Sequence, residues 1–285
     1  MTSSAQHIVV TGAAGKAGRA TVAYLLEHGY RVTATDLTPL PDGLDMAYLR
    51  ADLTDHGQVV DVLDGADAVV HLANIPAPGL RPAARTLTEN TTMNAHVFLA
   101  AQTLGLRRVV WASSETTLGL AFGPDAPPRY APVDEAHYPH PESTYALSKV
   151  LSETMAEHIS SWSGIPFVGL RLSNIFTDED YRRVPSFQGD ARSRMWNLWG
   201  YIDVRDAAAA CRNALEADTT GSVNVIIAND DTIMETPSAA LMQEVFPDVE
   251  VRGRLTGHET LLSNALARRL IGFEPQHGWR RGLPA

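Results

Sequence analysis

Apolar residues along the chain follow two alternating patterns. Short runs rich in β-branched residues, such as HIVVT at 7–11 and RRVVWASS at 107–114, indicate buried strands. Longer stretches with apolar residues three or four positions apart, such as 15–29 and 83–104, indicate helices. Because the two alternate, we expect βαβ units and a parallel sheet with right-handed crossovers. Further strands are predicted at 30–36, 66–73, 166–172 and 222–228. Further helices are predicted at 58–65, 142–161, 237–246 and 259–269, and one more begins inside the stretch 201–217.

Two stretches interrupt this alternation. Residues 122–141 contain six prolines, and residues 174–200 are polar and irregular. We expect the first to form an ordered loop and the second to build, with the C-terminal residues, a small substrate-binding lobe. Residues 1–173 would then form the sheet domain, and 174–285 would add the remaining strands and the lobe.

A glycine-rich segment follows the first predicted strand. VVTGAAGKAGRA places Gly12, Gly15 and Gly18 after that strand and at the start of a helix. Glycines there permit a tight turn and a close backbone approach to a pyrophosphate, which the N–H groups and dipole of the helix N-terminus favour. The context predicts a dinucleotide site and an α/β fold: a Rossmann-type doubly wound parallel sheet with a small C-terminal lobe.

The residue that ends the next strand bears on the choice of dinucleotide. Asp36 lies 18 residues after Gly18, where a carboxylate binds a ribose 2′-hydroxyl and repels a 2′-phosphate. NAD is therefore expected, although Lys16 and Arg19 leave NADP open. The residues expected to contact the cofactor are Gly12, Ala14, Gly15, Lys16, Ala17 and Gly18 in the loop, and Asp36, Asp52, Leu53, Leu72, Ala73 and Asn74 at later strand ends.

Composition excludes several classes of function. The net charge of −10 argues against a nucleic-acid partner, whose phosphates need a basic surface. The single cysteine, Cys211, excludes an internal disulfide, fits a cytoplasmic location and rules out a thiolate metal cluster, so no metal is expected. No apolar stretch approaches the length of a membrane span, and the first residues lack the pattern of a signal peptide.

Five motifs together resemble one protein superfamily. They are TGAAGKAG at 11–18, ASSETTLG at 112–119, YALSK at 145–149, RLSN at 171–174 and YIDVRDAA at 201–208. The set resembles the extended short-chain dehydrogenases/reductases, the NAD-dependent epimerase/dehydratase family. The resemblance implies Tyr145, Lys149 and Ser114 as catalytic residues, with Tyr145 and Lys149 also holding the cofactor, and it implies a homodimer formed through the helices at 83–104 and 142–161.

The implied chemistry suits these residue types. A free phenol has a pKa of about 10, and a nearby ammonium and the positive charge of a nicotinamide both favour its ionised form. Tyr145 could then take the proton of a substrate hydroxyl that Ser114 orients, while a hydride leaves the carbon. Asn90 matches an asparagine that the family carries in the same helix, where cofactor-linked proton relay and plain helix packing are both open.

The compact layout between RLSN and YIDVRDAA resembles the uronate dehydrogenase branch. In that branch an arginine in an N-Y-R stretch meets the substrate carboxylate, and DYR here makes Arg182 the candidate, with a solvated loop arginine as the alternative. The chain departs from the branch at Glu115, Thr116 and Pro76, and a glutamate would bind hydroxyls but repel a carboxylate. The predicted substrate contacts are Pro76, Ser114, Glu115, Thr116, Tyr145, Asn174 and Arg182.

The sequence therefore predicts an NAD(P)-dependent oxidoreductase that oxidises a hydroxyl of a small sugar or sugar acid. One alternative is a sugar or nucleotide-sugar epimerase or dehydratase that keeps its NAD tightly bound. An alternative of another class is a non-catalytic regulatory protein that senses NAD(P), which the retained Tyr145 and Lys149 disfavour.

Overall fold

A computed structural model describes residues 6–39, 47–137 and 139–281 of the chain. Its centre is a seven-stranded sheet in which every pairing is parallel. The strands of this sheet are β1 His7–Thr11, β2 Arg31–Asp36, β3 Ala47–Arg50, β4 Ala68–His71, β5 Arg108–Ser114, β7 Phe167–Leu172 and β10 Ser222–Ile227. Four short strands lie outside it: β6 Tyr130–Ala131 pairs with β11 Glu250–Val251, and β8 Ile175–Phe176 pairs with β9 Ile202–Asp203.

Helices cover both faces of the sheet. They are α1 Lys16–Glu27, α2 His56–Leu63, α3 Ala83–Leu104, α4 Thr144–Ser163, α5 Asp178–Tyr181, α6 Val204–Glu216, α7 Ser238–Val245 and α8 Ala265–Ile271. Alternate side chains of β1 divide between the faces, because successive residues of a strand point in opposite directions. Ile8 and Val10 pack with α1, α6 and α8, whereas Val9 packs with α2, α3 and α4. The doubly wound α/β fold predicted from the sequence is confirmed.

The strand order is β10-β7-β5-β4-β1-β2-β3. The chain moves outward from β1 through β2 to β3, then returns to the other side of β1 with β4. Crevices at the carboxyl ends of strands beside such a reversal are where open α/β sheets bind ligands. The strand order therefore predicts a ligand site at the carboxyl ends of β1 and β4.

A second apolar cluster forms the lobe. It joins residues of the proline-rich loop and of the 174–200 stretch to α7 and to residues 261–262. Within 174–200 the chain forms α5 and two 3₁₀ segments, Val184–Phe187 and Ala191–Asn197. Because β10 follows this stretch yet pairs with β7 in the main sheet, the C-terminal part does supply a strand to it. The division at residue 173 stays a prediction, and its outer limits, residues 1–5 and 282–285, lie outside the described residues.

One predicted helix differs from the structure. The sequence predicts helix over 259–269, but α8 begins only at Ala265. The backbone of the preceding residues is bonded elsewhere: the Thr260 amide donates to the Asp230 carbonyl, and the Ser263 amide donates to the Val133 carbonyl. In a helix that starts at residue 259 the Ser263 amide would bond to the Glu259 carbonyl, and it cannot do so while it donates to Val133.

The helix α4 is joined to the sheet by a buried ion pair. Glu153 on α4 accepts two hydrogen bonds from the Arg171 guanidinium on β7, at 2.9 and 2.8 Å, and a third from the Ser113 hydroxyl at 2.6 Å. Both charged side chains are at most 4% exposed. Within the described ranges, none of the helices is long and apolar enough to span a bilayer.

Replacing Glu153 by alanine should destabilise the fold strongly, because it removes the carboxylate that compensates a buried guanidinium. We expect the free energy of unfolding to fall by about 3–5 kcal/mol, measured by urea denaturation followed by circular dichroism. As a control, Glu250→Ala breaks an exposed pair with Arg252 and should change stability by less than about 0.5 kcal/mol. Similar losses in the two variants would contradict a structural role for the buried pair.

Candidate active site

A cavity of about 1100 Å³ opens at the carboxyl ends of β1, β4 and β5. It runs from the glycine-rich loop to the N-terminal turn of α4. Among the residues predicted from the sequence, the structure brings into its lining Gly12, Gly15, Lys16, Ala17, Gly18, Asp36, Asp52, Leu53, Leu72, Ala73, Asn74, Pro76, Ser114, Glu115, Thr116, Tyr145, Lys149 and Asn174.

At one end of the cavity the glycine-rich loop forms a close-packed turn. Gly12 has φ +68°, and a Cβ there would lie 2.6 Å from the Ala73 amide nitrogen. A Cβ on Gly18 would lie 2.0 Å from the Gly12 carbonyl oxygen. Only glycine fits at either position. The N-cap of α1 is Gly15, which offers no side-chain acceptor, so the amides of the first turn remain available to an anion.

The carboxylate of Asp36 is fixed beside this loop. It accepts hydrogen bonds from the Ala14 amide at 3.0 Å and from the Thr38 amide at 3.1 Å. Ala14 thus braces Asp36 and is not part of the cavity lining. Lys16 is already engaged, since its ammonium lies 2.7 Å from the Asp180 carboxylate and donates to the Ile175 carbonyl. The glycine-rich turn and the free amides of α1 suit a pyrophosphate, and the fixed Asp36 carboxylate suits a ribose hydroxyl, so the residues present fit NAD.

The three predicted catalytic residues meet at the other end. Ser114 is the last residue of β5, and Tyr145 and Lys149 lie one turn apart on α4, whose N-terminus Ser143 caps by accepting from the Ala146 amide. The Ser114 hydroxyl lies close enough to the Tyr145 phenol to lower its pKa. The Lys149 ammonium is 5.6 Å from the centre of the Tyr145 ring and donates to the Ala112 carbonyl at 2.6 Å.

Burial dominates the proton affinities of this group. Desolvation raises the pKa of Tyr145 to about 12, which the Ser114 hydroxyl partly offsets and the Glu115 carboxylate increases. Desolvation also lowers the pKa of Lys149 to about 7, against the opposing charge of Glu153. The protein's own groups therefore leave the pKa of the phenol above that of free tyrosine, contrary to the expectation from the sequence.

A directed chain of buried hydrogen bonds connects β1 to α4. The Thr11 hydroxyl bonds His71 Nδ1 at 2.7 Å, and His71 Nε2 bonds Asn94 Oδ1 at 2.8 Å. Asn94 Nδ2 donates to the Ser152 hydroxyl, which donates to the Ser148 carbonyl. Burial lowers the pKa of His71 to about 3, so the ring is neutral and serves as a structural link.

Asn90 occupies the same helix but contacts a loop. Its Oδ1 accepts from the Ile75 amide at 2.8 Å, and its Nδ2 donates to the Ile75 carbonyl at 3.1 Å. It therefore fixes the segment that follows β4, beside the cavity. The contact with the Ser148 hydroxyl, at 3.5 Å, is at the limit of a hydrogen bond. The packing interpretation of Asn90 accounts for its contacts, and its link to the cofactor stays a prediction.

The substrate side of the cavity contains a buried carboxyl group. Glu115 is 3% exposed, and its Oε1 accepts from Asn197 Nδ2 at 3.3 Å. Burial raises the pKa of Glu115 to about 7, although the Ser173 hydroxyl, the Asn197 amide and the Arg194 charge act in the opposite direction. Next to it the Thr116 hydroxyl donates to the Ser114 hydroxyl at 3.0 Å.

The arginine near the Glu115 carboxyl is Arg194, whereas the sequence suggests Arg182 as the arginine of the substrate site. Arg182 is the exposed C-cap residue that follows α5 and does not line the cavity, so the structure offers no support for it as a carboxylate ligand. Arg194 lies closer: its Nη1 donates to Asn174 Oδ1 at 3.1 Å and its charge acts on Glu115. Arg194, Asn197 and the cavity-lining Trp196 are not among the residues predicted from the sequence, because an irregular stretch gives no periodicity from which to place them.

Known proteins share this architecture. Residues 8–227 match the model of the NAD dependent epimerase/dehydratase family. The chain is 31% identical to an L-arabinose 1-dehydrogenase (NAD(P)(+)) of Haloferax volcanii, over 79% of this chain and 89% of that protein. It is 27% identical to an NAD-dependent glucose-6-phosphate dehydrogenase of the same organism, over 79% and 86%.

Among solved structures, a mutated uronate dehydrogenase is similar with a TM-score of 0.71 and 22% identity, over 98% of this chain and 85% of that one. The resemblance noted in the sequence is thus confirmed. The chain belongs to the NAD dependent epimerase/dehydratase family and is an NAD-dependent oxidoreductase of the extended short-chain dehydrogenase/reductase type.

Proposed function

We propose that the protein oxidises a hydroxyl group of a small sugar or sugar acid. The observation that carries this proposal is the placement of Ser114, Tyr145 and Lys149 in one cavity with the glycine cradle and Asp36. One end of the cavity would hold the dinucleotide, and the other end would accept the substrate proton. Bound NAD would accept the hydride of the carbinol carbon and add positive charge near the phenol.

The protein's own residues supply the proton chemistry. Ser114 and Tyr145 both line the cavity, so a substrate hydroxyl bound between them would be fixed by two oxygen atoms. As the phenolate, the form that the positive charge of bound NAD would favour, Tyr145 takes the hydroxyl proton while the hydride leaves and the carbon becomes a carbonyl. Lys149, whose pKa is lowered to about 7, can exchange protons at neutral pH from its place beneath the ring.

A small substrate fits the way the lobe is built. The stretch between RLSN and YIDVRDAA is filled by α5 and two 3₁₀ segments, whose Tyr181, Val184 and Ala191 are buried in the lobe core. Little of this stretch remains to enclose a second nucleotide. The two similar proteins from Haloferax volcanii are by name dehydrogenases of arabinose and of glucose 6-phosphate, which supports a monosaccharide as substrate.

A second candidate is an epimerase or dehydratase that retains NAD. The feature that favours it is Glu115, a carboxyl next to Ser114 whose pKa is raised to about 7, since such a group can move a proton at neutral pH. The regulatory alternative has no comparable support, because the tyrosine, lysine and serine are all present at one site.

NAD is the preferred cofactor in this proposal. Asp36 is held rigidly by the glycine-rich loop, where its charge would oppose a 2′-phosphate. Lys16 is engaged by Asp180, and Arg19 is exposed and does not line the cavity. We also propose a cytoplasmic location, where the single buried thiol of Cys211 would stay reduced.

We further propose a homodimer formed through α3 and α4. Leu99, Leu147 and Leu151 are 39%, 36% and 41% exposed on these helices, although both helices bury their other faces against the sheet. A second copy would cover these leucines.

Replacing Tyr145 by phenylalanine should abolish the reaction, because no other group would receive the hydroxyl proton. We expect kcat/KM to fall at least about 100-fold, measured as absorbance of reduced nicotinamide with a panel of aldoses, uronic acids, aldonates and polyols. Tyr24→Phe removes a hydroxyl on α1, away from the cavity, and is the control. Full activity in Tyr145→Phe would contradict the assignment, and no turnover with any sugar by protein that carries bound NAD would favour the epimerase or dehydratase.

Replacing Asp36 by asparagine should shift cofactor preference, because the charge that opposes a 2′-phosphate is lost while hydrogen bonding is kept. We expect the ratio of kcat/KM for NADP to that for NAD to rise about tenfold or more. Asp52→Asn removes an equal charge elsewhere in the cavity and should leave that ratio unchanged. An unchanged ratio in Asp36→Asn would show that this carboxylate does not face the 2′ position.

Replacing Leu147 by glutamate should dissociate the dimer, because a charge would be buried in an apolar contact. We expect light scattering to show about half the mass of the wild-type protein. Leu26→Glu, on an equally exposed leucine of α1, should leave the mass unchanged. A monomeric wild-type protein would refute the proposed dimer directly.

A further inference from the structure

Glu115 lines the cavity, and its carboxyl group has no role in the proton transfer to Tyr145 proposed above. Its Oε1 accepts from Asn197, whereas its Oε2 is buried without a hydrogen-bond partner among the described residues. A buried polar atom left in this way is costly unless something completes its hydrogen bonding. Glu115 lines the cavity directly after Ser114. The Ser173 hydroxyl acts on the pKa of this carboxyl but is itself without a partner at hydrogen-bonding distance in the described part of the chain. A hydroxyl of a ligand in the cavity would complete the hydrogen bonding of Oε2.

A second polar group, the side-chain amide of Asn174, lines the same cavity with a fixed orientation. Its Oδ1 accepts from Arg194 Nη1 at 3.1 Å. Arginine only donates hydrogen bonds, so the oxygen of the amide must face Arg194. The amide nitrogen of Asn174 is then the atom left to donate to a ligand. The cavity thus presents an acceptor on Glu115 and a donor on Asn174.

Arg194 itself is committed away from the cavity. Its Nη2 donates to the Gly200 carbonyl at 3.1 Å, and its guanidinium lies 5.5, 5.6 and 5.1 Å from the ring centres of Phe176, Phe187 and Trp196. It is not among the residues that line the cavity. Arg194 therefore orients Asn174 and moderates the charge of Glu115, and it is not placed to bind a carboxylate of the substrate.

We infer that Glu115 and Asn174 form a hydroxyl-recognition pair that selects a neutral aldose and rejects a uronic acid. Glu115 Oε2 accepts from one sugar hydroxyl and Asn174 Nδ2 donates to another, while a carboxylate placed beside Glu115 would meet like charge. The arginines of the cavity lining, Arg81 and Arg85, lie between the end of β4 and the first turn of α3. The inference rests on the proposed oxidation of a sugar hydroxyl and narrows the substrate class.

The discrimination should depend on pH in a definite direction. The groups that act on Glu115 are Arg194 and Asn197 from the lobe, Ser173 from the end of β7 and Tyr145 from α4. Since its pKa is raised to about 7, Glu115 is mostly neutral at pH 6 and mostly charged at pH 8. Repulsion of a uronate should therefore grow as the pH rises through 7, while an aldose is affected far less.

The test compares sugar pairs that differ only at C6: galactose with galacturonate, and glucose with glucuronate. We expect the wild-type protein to prefer the aldose of each pair in kcat/KM with NAD at pH 8. In Glu115→Gln, which keeps the shape and loses the charge, the aldose-to-uronate ratio should fall about tenfold or more and lose its pH dependence. Glu142→Gln removes a carboxylate elsewhere in the same lining and should keep the wild-type ratio.

A binding measurement separates this inference from the proposed function. Ligand-observed NMR with Tyr145→Phe protein and NADH reports binding of aldose and uronate without turnover. Weaker binding of the uronate than of the aldose, with the difference lost in Glu115→Gln, supports the recognition pair. This holds even if no sugar reduces NAD, because the absence of turnover would refute only the proposed dehydrogenase activity. Equal or tighter binding of the uronate to protein with Glu115 intact, an unchanged ratio in Glu115→Gln, or an equal shift in Glu142→Gln would overturn the inference.

Discussion

The docking of α4 onto the sheet is the constraint on which the site depends. Three buried polar connections hold that helix: Glu153 to Arg171, Lys149 to the Ala112 carbonyl, and the chain of bonds that runs from Thr11 to Ser152. Each needs its partner at hydrogen-bonding distance, because an unpaired polar group in a dry interior is costly. The same contacts that stabilise the fold therefore fix the position of the catalytic tyrosine.

Much of this architecture could be predicted because it is encoded locally. The strand HIVVT and the helix 83–104 have the bounds that periodicity gives, and the glycine loop follows directly after a strand, so neighbours in sequence determine its geometry. The sequence also predicts the catalytic positions of Ser114, Tyr145 and Lys149. The first ends a strand, and the other two are four residues apart on a helix.

The remainder depends on contacts between distant segments. Arg194 and Asn197 reach Asn174 and Glu115 from a 3₁₀ segment without apolar periodicity, and only the folded lobe reveals that proximity. The helix predicted at 259–269 is shortened for a similar reason, because its first residues bond to loops around residues 133 and 230. The pKa of Tyr145 could not be predicted either, since it follows burial and not the identity of its neighbours.

The position of β10 at the edge of the sheet also affects how the chain reaches its native state. β7, with the sequence FVGLRL, is almost entirely buried, and on one side its partner is a strand that comes some 50 residues later. During synthesis, β7 emerges with an open, apolar edge that stays unpaired until the whole lobe segment has been made. Such edges template pairing with other chains. A protein truncated after residue 173 would keep that edge permanently exposed, so the sheet half should aggregate when produced without the lobe.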